Sequence, residues 1–219
     1  MDTLRSTRRT LAAVMAGTLC LGLMAVPAAA REARLLGEPA SDAARQMADW
    51  VVRSGDNHGR PFVIVDKAGA KVFVFSLEGQ LKGAAPALLG MARSDEAIPG
   101  IGQRRLATIS PAERTTPAGR YVAYIGKDLT SDVLWIDYEG ALSLHRVITT
   151  GKDRRPQRLA TATPDDNRIS YGCINVPISF YDTVISAAFE KTDGVVYILP
   201  EIRTLTEAFP GFEAHPPLD

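Results

Sequence analysis

The chain has 219 residues and a formal charge of zero, with 25 Lys and Arg balancing 25 Asp and Glu. That length suits one domain with a real core and small appendages, and the neutral balance gives no electrostatic footprint for nucleic acid. Neither a metal nor a cofactor is expected. There is no H-E-x-x-H or C-x-x-C spacing, and Gly100-Ile101-Gly102 lacks the strand–helix context of a phosphate loop.

Residues 1–30 read as an export signal. Arg5, Arg8 and Arg9 make a basic start, Leu11 to Val26 is apolar and uncharged, and Ala28-Ala29-Ala30 supplies an A-x-A site. A membrane anchor is the rival reading, but the run is short for a span. Arg8-Arg9 leaves both general and twin-arginine export open. Cys20 follows Leu19 rather than a small residue, which argues against lipid attachment. Cleavage after Ala30 would place the protein in the periplasm or cell envelope with no stable membrane span. It would also leave Cys173 as the only cysteine, in a compartment where thiols usually pair.

Residues 31–59 are expected to be a short helical extension and linker. Ala43, Ala44, Met47, Trp50 and Val51 recur at helical spacing over 41–53, with Ser41 as cap. "SGDNHGRP" is turn-rich. From Phe62 the period becomes two. "FVIVD" and "KVFVFS" flank "KAGA" as a hairpin, and "GQLKGAAPALLG" continues across a turn. Residues 98–119 read as a long polar loop. "RYVAYIG", "DVLWIDY" and "ALSLHRVIT" are further strands, followed by a polar arginine-rich segment and then Cys173. "PISFYDTVISAAFEK" is expected to be a helix with Ile178, Tyr181, Val184, Ile185 and Ala188 on one face. "DGVVYILP" closes the sheet, and 204–219 is a tail. The fold class is mainly β with one or two helices, in a domain over 60–203.

Chemistry converges on "RISYGCINVP". A nucleophilic cysteine needs a base, amides that hold an oxyanion, a rigid mount and access. Gly172 allows close backbone approach, and the amides of Tyr171, Gly172 and Cys173 could converge on one oxygen. A following helix start would favour thiolate. On composition alone Cys173 reads equally as a buried inert thiol. Of the three histidines, His58 lies in the linker and His215 in the tail. His145 ends an alternating strand; alone it would be a core histidine, but with Cys173 it makes a Cys/His arrangement.

These residues resemble the catalytic domain of the L,D-transpeptidases, the YkuD-type fold. Ser170, Gly172, Cys173, Ile174 and Asn175 match that family's [ST]-H-G-C-hydrophobic-N signature, and His145 stands where its upstream histidine belongs. "TTPAGRYVA" resembles the family's T-P-x-G-x-[YF] segment, and the opening hairpins and last strand are similar too. The resemblance implies that Cys173 attacks a peptide carbonyl and His145 moves the proton. It also implies that amides around Gly172 hold the oxyanion, and that Ser170 and Asn175 fix the loop. The implied substrate is the tetrapeptide stem of peptidoglycan.

Tyr171 departs from the pattern by replacing the motif's second histidine. The interval from His145 to Cys173 is longer than the family's spacer, and Arg146 replaces a small residue. Arg146, Arg154, Arg155 and Arg168 are candidates for binding substrate carboxylates, Arg154, Arg155 and Arg168 as part of a lid. The other reading of that segment is a solvated charged face. Hydrolysis in place of transpeptidation, and a non-catalytic wall-binding protein that keeps the fold, remain as alternatives.

Overall fold

Strand β1, Phe62–Asp66, is buried along its whole length. A strand hidden on both faces must be covered twice, and the computed structural model, which describes residues 33–128 and 131–213, shows both covers. The expected signal, 1–30, and His215 lie outside the described residues.

Helix α1, Asp42–Ser54, starts where Ser41 accepts from the Ala44 amide and ends where left-handed Gly55 donates to the Val51 carbonyl. It buries Met47, Trp50 and Val51 against Phe62, Ile64, Phe73, Phe75, Val195 and Tyr197. Phe209 and Phe212, from the segment after residue 203, complete this layer. Extension and tail therefore share a core with the sheet. The opposite face, Val63, Val65, Val72, Val74, Val196 and Ile198, packs on Tyr181, Ile185 and Phe189 of a helix over 178–189. The period-two pattern of the sequence thus divides its residues between two cores.

The remaining strands are β2 (Lys71–Phe75), β3 (Leu81–Pro86), β4 (Leu89–Gly90), β5 (Gly119–Asp128), β6 (Ser131–Asp137), β7 (Leu142–Arg146), β8 (Arg168–Ser170), β9 (Ile174–Val176) and β10 (Gly194–Ile198). Eight of these ten strands form one sheet in the order β3-β2-β1-β10-β5-β6-β7-β9, while β4 and β8 pair separately. Just beyond β3, Leu88 exchanges both backbone hydrogen bonds with Asn175 of β9, at 2.8 and 2.9 Å. The two ends of the sheet are therefore brought together in a barrel-like closure. Among the described residues, no helix is long and apolar enough to cross a membrane.

The helix expected from Pro177 is present, beginning at Ile178, but the short strand β9 that separates it from Cys173 was not expected. Three residues are too few for a period to show in sequence. Within the helix, a π turn over Tyr181–Ile185 shifts the buried face. Phe180 and Phe189 are covered while Ile178 is 42% exposed.

Candidate active site

β7 and β9 run parallel, with Leu144 beside Ile174, His145 beside Asn175 and Arg146 beside Val176. Alternation then sorts the side chains. Leu142, Leu144, Ile174 and Val176 face the core. Ser143, His145, Asn175 and Cys173, one residue before β9, face the other way and form a two-by-two patch. A parallel pair needs a crossover of a dozen or more residues, and 147–173 is that crossover.

The patch is internally bonded. Ser143 Oγ donates to Cys173 Sγ at 3.6 Å, and Sγ lies 3.4 Å from the Ala141 carbonyl. His145 Nδ1 lies 2.7 Å from the Arg146 carbonyl, which can only accept, so Nδ1 carries a proton. Nε2 is the nitrogen left for proton transfer. Burial pushes the Cys173 thiol up, but the hydrogen bond and charge of His145, with a hydrogen bond from Ser143, outweigh it and hold the thiol below its ordinary value. Burial pushes His145 down, but the hydrogen bond and charge of Cys173 and the Arg146 carbonyl raise it overall, while the charge of Arg155 opposes that rise. Both net shifts favour a thiolate beside an imidazolium.

Gly172 has φ +142°, and a Cβ there would lie 2.6 Å from the Thr115 carbonyl oxygen. Only glycine fits this bend. Thr116 clamps it, since Thr116 Oγ1 donates to the Gly172 carbonyl at 2.7 Å and accepts from the Gly90 amide at 2.8 Å. Ser170 Oγ accepts from the Gly172 amide at 3.1 Å, so that amide is engaged within its own loop. The Tyr171 ring lies under the Arg114 guanidinium, 3.9 Å from its carbon. Cys173 and Gly172 line a cleft of about 580 Å³ whose walls include Ile98–Arg104 and Glu139–Leu142.

The arginines separate into different environments. Arg168 is clamped by Glu201 at 2.6 and 3.0 Å and donates to the Lys67 carbonyl. Arg146 pairs with Asp132 and Asp182 and stacks on Tyr181. Arg154 sits in left-handed geometry at the start of the short helix α2, Arg155–Leu159. Arg155 turns inward and donates to Asn175 Oδ1 at 2.9 Å. None of these four lines the cleft beside Cys173. Thr116, Ser143 and Arg114 are site neighbours that sequence reasoning did not single out. Thr116 had a signal, the "TTPAG" motif; Ser143 had one in its alternation with His145. Among the described residues no group of three or more His, Cys, Asp or Glu side chains could hold a metal.

No protein-family model and no curated protein matches the chain. Solved structures do. One is the catalytic domain of an Enterococcus faecium L,D-transpeptidase, at 15% identity and TM-score 0.39, covering 64% of this chain and 98% of that one. A second is the Xylanimonas cellulosilytica L,D-transpeptidase, at 13% identity and TM-score 0.38, covering 64% of this chain and 60% of that one. A third L,D-transpeptidase, solved with imipenem, aligns at 13% identity and TM-score 0.37, covering 64% of this chain and 58% of that one. All three are L,D-transpeptidases. Identities this low transfer no residue's role to Cys173 or His145.

Proposed function

We propose that the protein is an exported cysteine acyltransferase of the cell envelope, an L,D-transpeptidase acting on peptidoglycan stem tetrapeptides. The observation that carries this reading is the placement of Cys173 and His145 on one face of neighbouring parallel strands, two register positions apart, with Cys173 lining a cleft. The Ser170, Gly172, Cys173, Ile174 and Asn175 signature and the upstream His145 point the same way.

In this reading the Cys173 thiolate attacks the carbonyl that joins the stem's third residue to its terminal D-residue. With the Gly172 amide bonded to Ser170, the Tyr171 and Cys173 amides are the ones left to hold the developing oxyanion. Collapse breaks the C–N bond, the imidazolium Nε2–H protonates the departing amine, and a thioester remains. A second amine attacks the thioester, His145 takes its proton, and Cys173 is released as thiolate. The test is mass spectrometry of purified tetrapeptide stems after incubation with wild type and Cys173→Ala. Loss of the terminal D-residue with formation of a cross-linked dimer or D-amino-acid exchange, by wild type only, is expected. Release by water alone would make the protein a hydrolase. Turnover by Cys173→Ala would remove the nucleophile, and an inert wild type would leave a wall-binding protein.

A further inference from the structure

The extra residues between His145 and Cys173 do more than lengthen a loop. Arg155 of α2 lies with its side chain only 13% exposed and its Nη1 2.9 Å from Asn175 Oδ1. Arginine has donors and no acceptor, so the Asn175 amide must turn its oxygen toward Arg155. Its nitrogen then faces His145 Nε2 and the Cys173 carbonyl, each at 3.3 Å. A donor aimed at Nε2 fits the neutral ring with its lone pair there, so this contact works against the imidazolium that Cys173 favours. The Nδ1 proton is independently fixed by the Arg146 carbonyl. Asp153 holds the other side of the guanidinium at 3.2 and 3.3 Å, which fixes its rotation.

We infer that Arg155 is a positioning residue that, through Asn175, keeps His145 in the Nδ1–H form with Nε2 presented as a base, and makes the imidazolium readier to give its proton away. The inference rests on the Cys173–His145 reading, but not on the identity of the substrate. The chain of contacts is Arg155, Asn175, His145, Cys173. Without Arg155 the amide is free to rotate, and its oxygen would accept from Nε2–H. The imidazolium would then be held, and protonation of the leaving amine would slow. The charged and titratable groups that bear on His145 are Cys173 and Arg155; the Arg146 guanidinium is turned away onto Asp132 and Asp182.

The test needs no substrate. The rate of iodoacetamide alkylation of Cys173 against pH shows two steps for a coupled thiol–imidazole pair, the upper one reporting loss of the imidazolium proton. In Arg155→Ala the upper step should rise by about half a pH unit or more, the size expected for removing a nearby charge and a mis-matched donor. Arg155→Lys, which restores charge and a donor, should return it most of the way. Asn175→Asp leaves Arg155 in place but offers Nε2 an acceptor, and should raise the step at least as far. Thermal unfolding of each variant shows that it is folded. An upper step unmoved in folded Arg155→Ala and in Asn175→Asp overturns the inference, and so does a downward shift. Where acyl transfer is measured, kcat should fall several-fold in Arg155→Ala with KM little changed. A raised KM at constant kcat would instead make Arg155 a substrate contact. Absence of any acyl transfer would sink the proposed function while leaving the alkylation result readable.

Discussion

Two buried charge systems sit on either side of Thr116, and they are built to opposite ends. Lys67 is fully buried and donates to Asp95 at 2.7 Å, to the Ser94 carbonyl at 2.6 Å and to the Thr116 carbonyl at 3.0 Å. Asp95 in turn accepts from the amides of Glu201, Ile202 and Arg203. Three donors and several acceptors are matched, so no proton has anywhere to go. At the Cys173–His145 pair a single proton has two resting places. Desolvation acts on both systems; what differs is whether the partners leave a choice. Thr116 joins them, because its carbonyl is held by Lys67 and its hydroxyl holds Gly172. The rigid system is the mount for the mobile one.

Breaking the rigid system should have the largest effect. Asp95→Asn leaves the Lys67 ammonium without its closest counter-charge, and a loss of about 3–5 kcal/mol in unfolding free energy is expected in chemical denaturation. A loss below about 1 kcal/mol would show that Glu201, 3.6 Å from Lys67 Nζ, suffices alone. The pH dependence follows from the same contacts. Burial pushes the Asp95 carboxyl up, but the Lys67 hydrogen bond and the three amides bring it from 3.8 down to about 2. A carboxyl lowered in the folded state stabilises above its unfolded value and loses that contribution as pH falls through the folded one. Wild type should therefore lose stability between pH 3.8 and about 2, and Asp95→Asn should lose less over that window.

Gly172→Ala tests the joint between the two systems. A Cβ 2.6 Å from the Thr115 carbonyl at φ +142° should cost about 1–3 kcal/mol in thermal or chemical unfolding. Displacing the cysteine by even 1 Å should also slow acyl transfer on the order of 100-fold. Normal turnover in this variant would mean that the bend is not needed for the oxyanion. The smallest effect is expected at Arg154, which touches neither system. Arg154→Ala should change unfolding free energy by less than about 0.5 kcal/mol and leave KM unchanged. A clear rise in KM would restore the lid reading of that segment.

Local pattern carried much of this into the sequence. The alternation of "LSLHR" places Ser143 and His145 on one face and Leu142 and Leu144 on the other. "CINV" does the same for Cys173 and Asn175. Helix α1 was legible from its cap and its apolar spacing. What the sequence could not show is that these two short runs lie side by side, because parallel pairing is decided by the crossover and not by either strand. The partners of Arg146 and Arg168 were hidden for a similar reason. Asp182 and Glu201 are 36 and 33 residues away, and a distant carboxylate leaves no local trace. Tyr171 stands out as a missing histidine, yet its stacking on Arg114 depends on a loop far upstream.

The bridge between Leu88 and Asn175 has a consequence for how a ligand can approach. Strand β9 lies against β7 on one side and takes both hydrogen bonds of the bridge on the other. Asn175, two residues from Cys173, is thus closed to an incoming chain that would bind by lengthening the sheet. An extended ligand that approaches Cys173 is therefore met by the cleft walls, Ile98–Arg104 and Glu139–Leu142, and not by a main-chain ladder on β9.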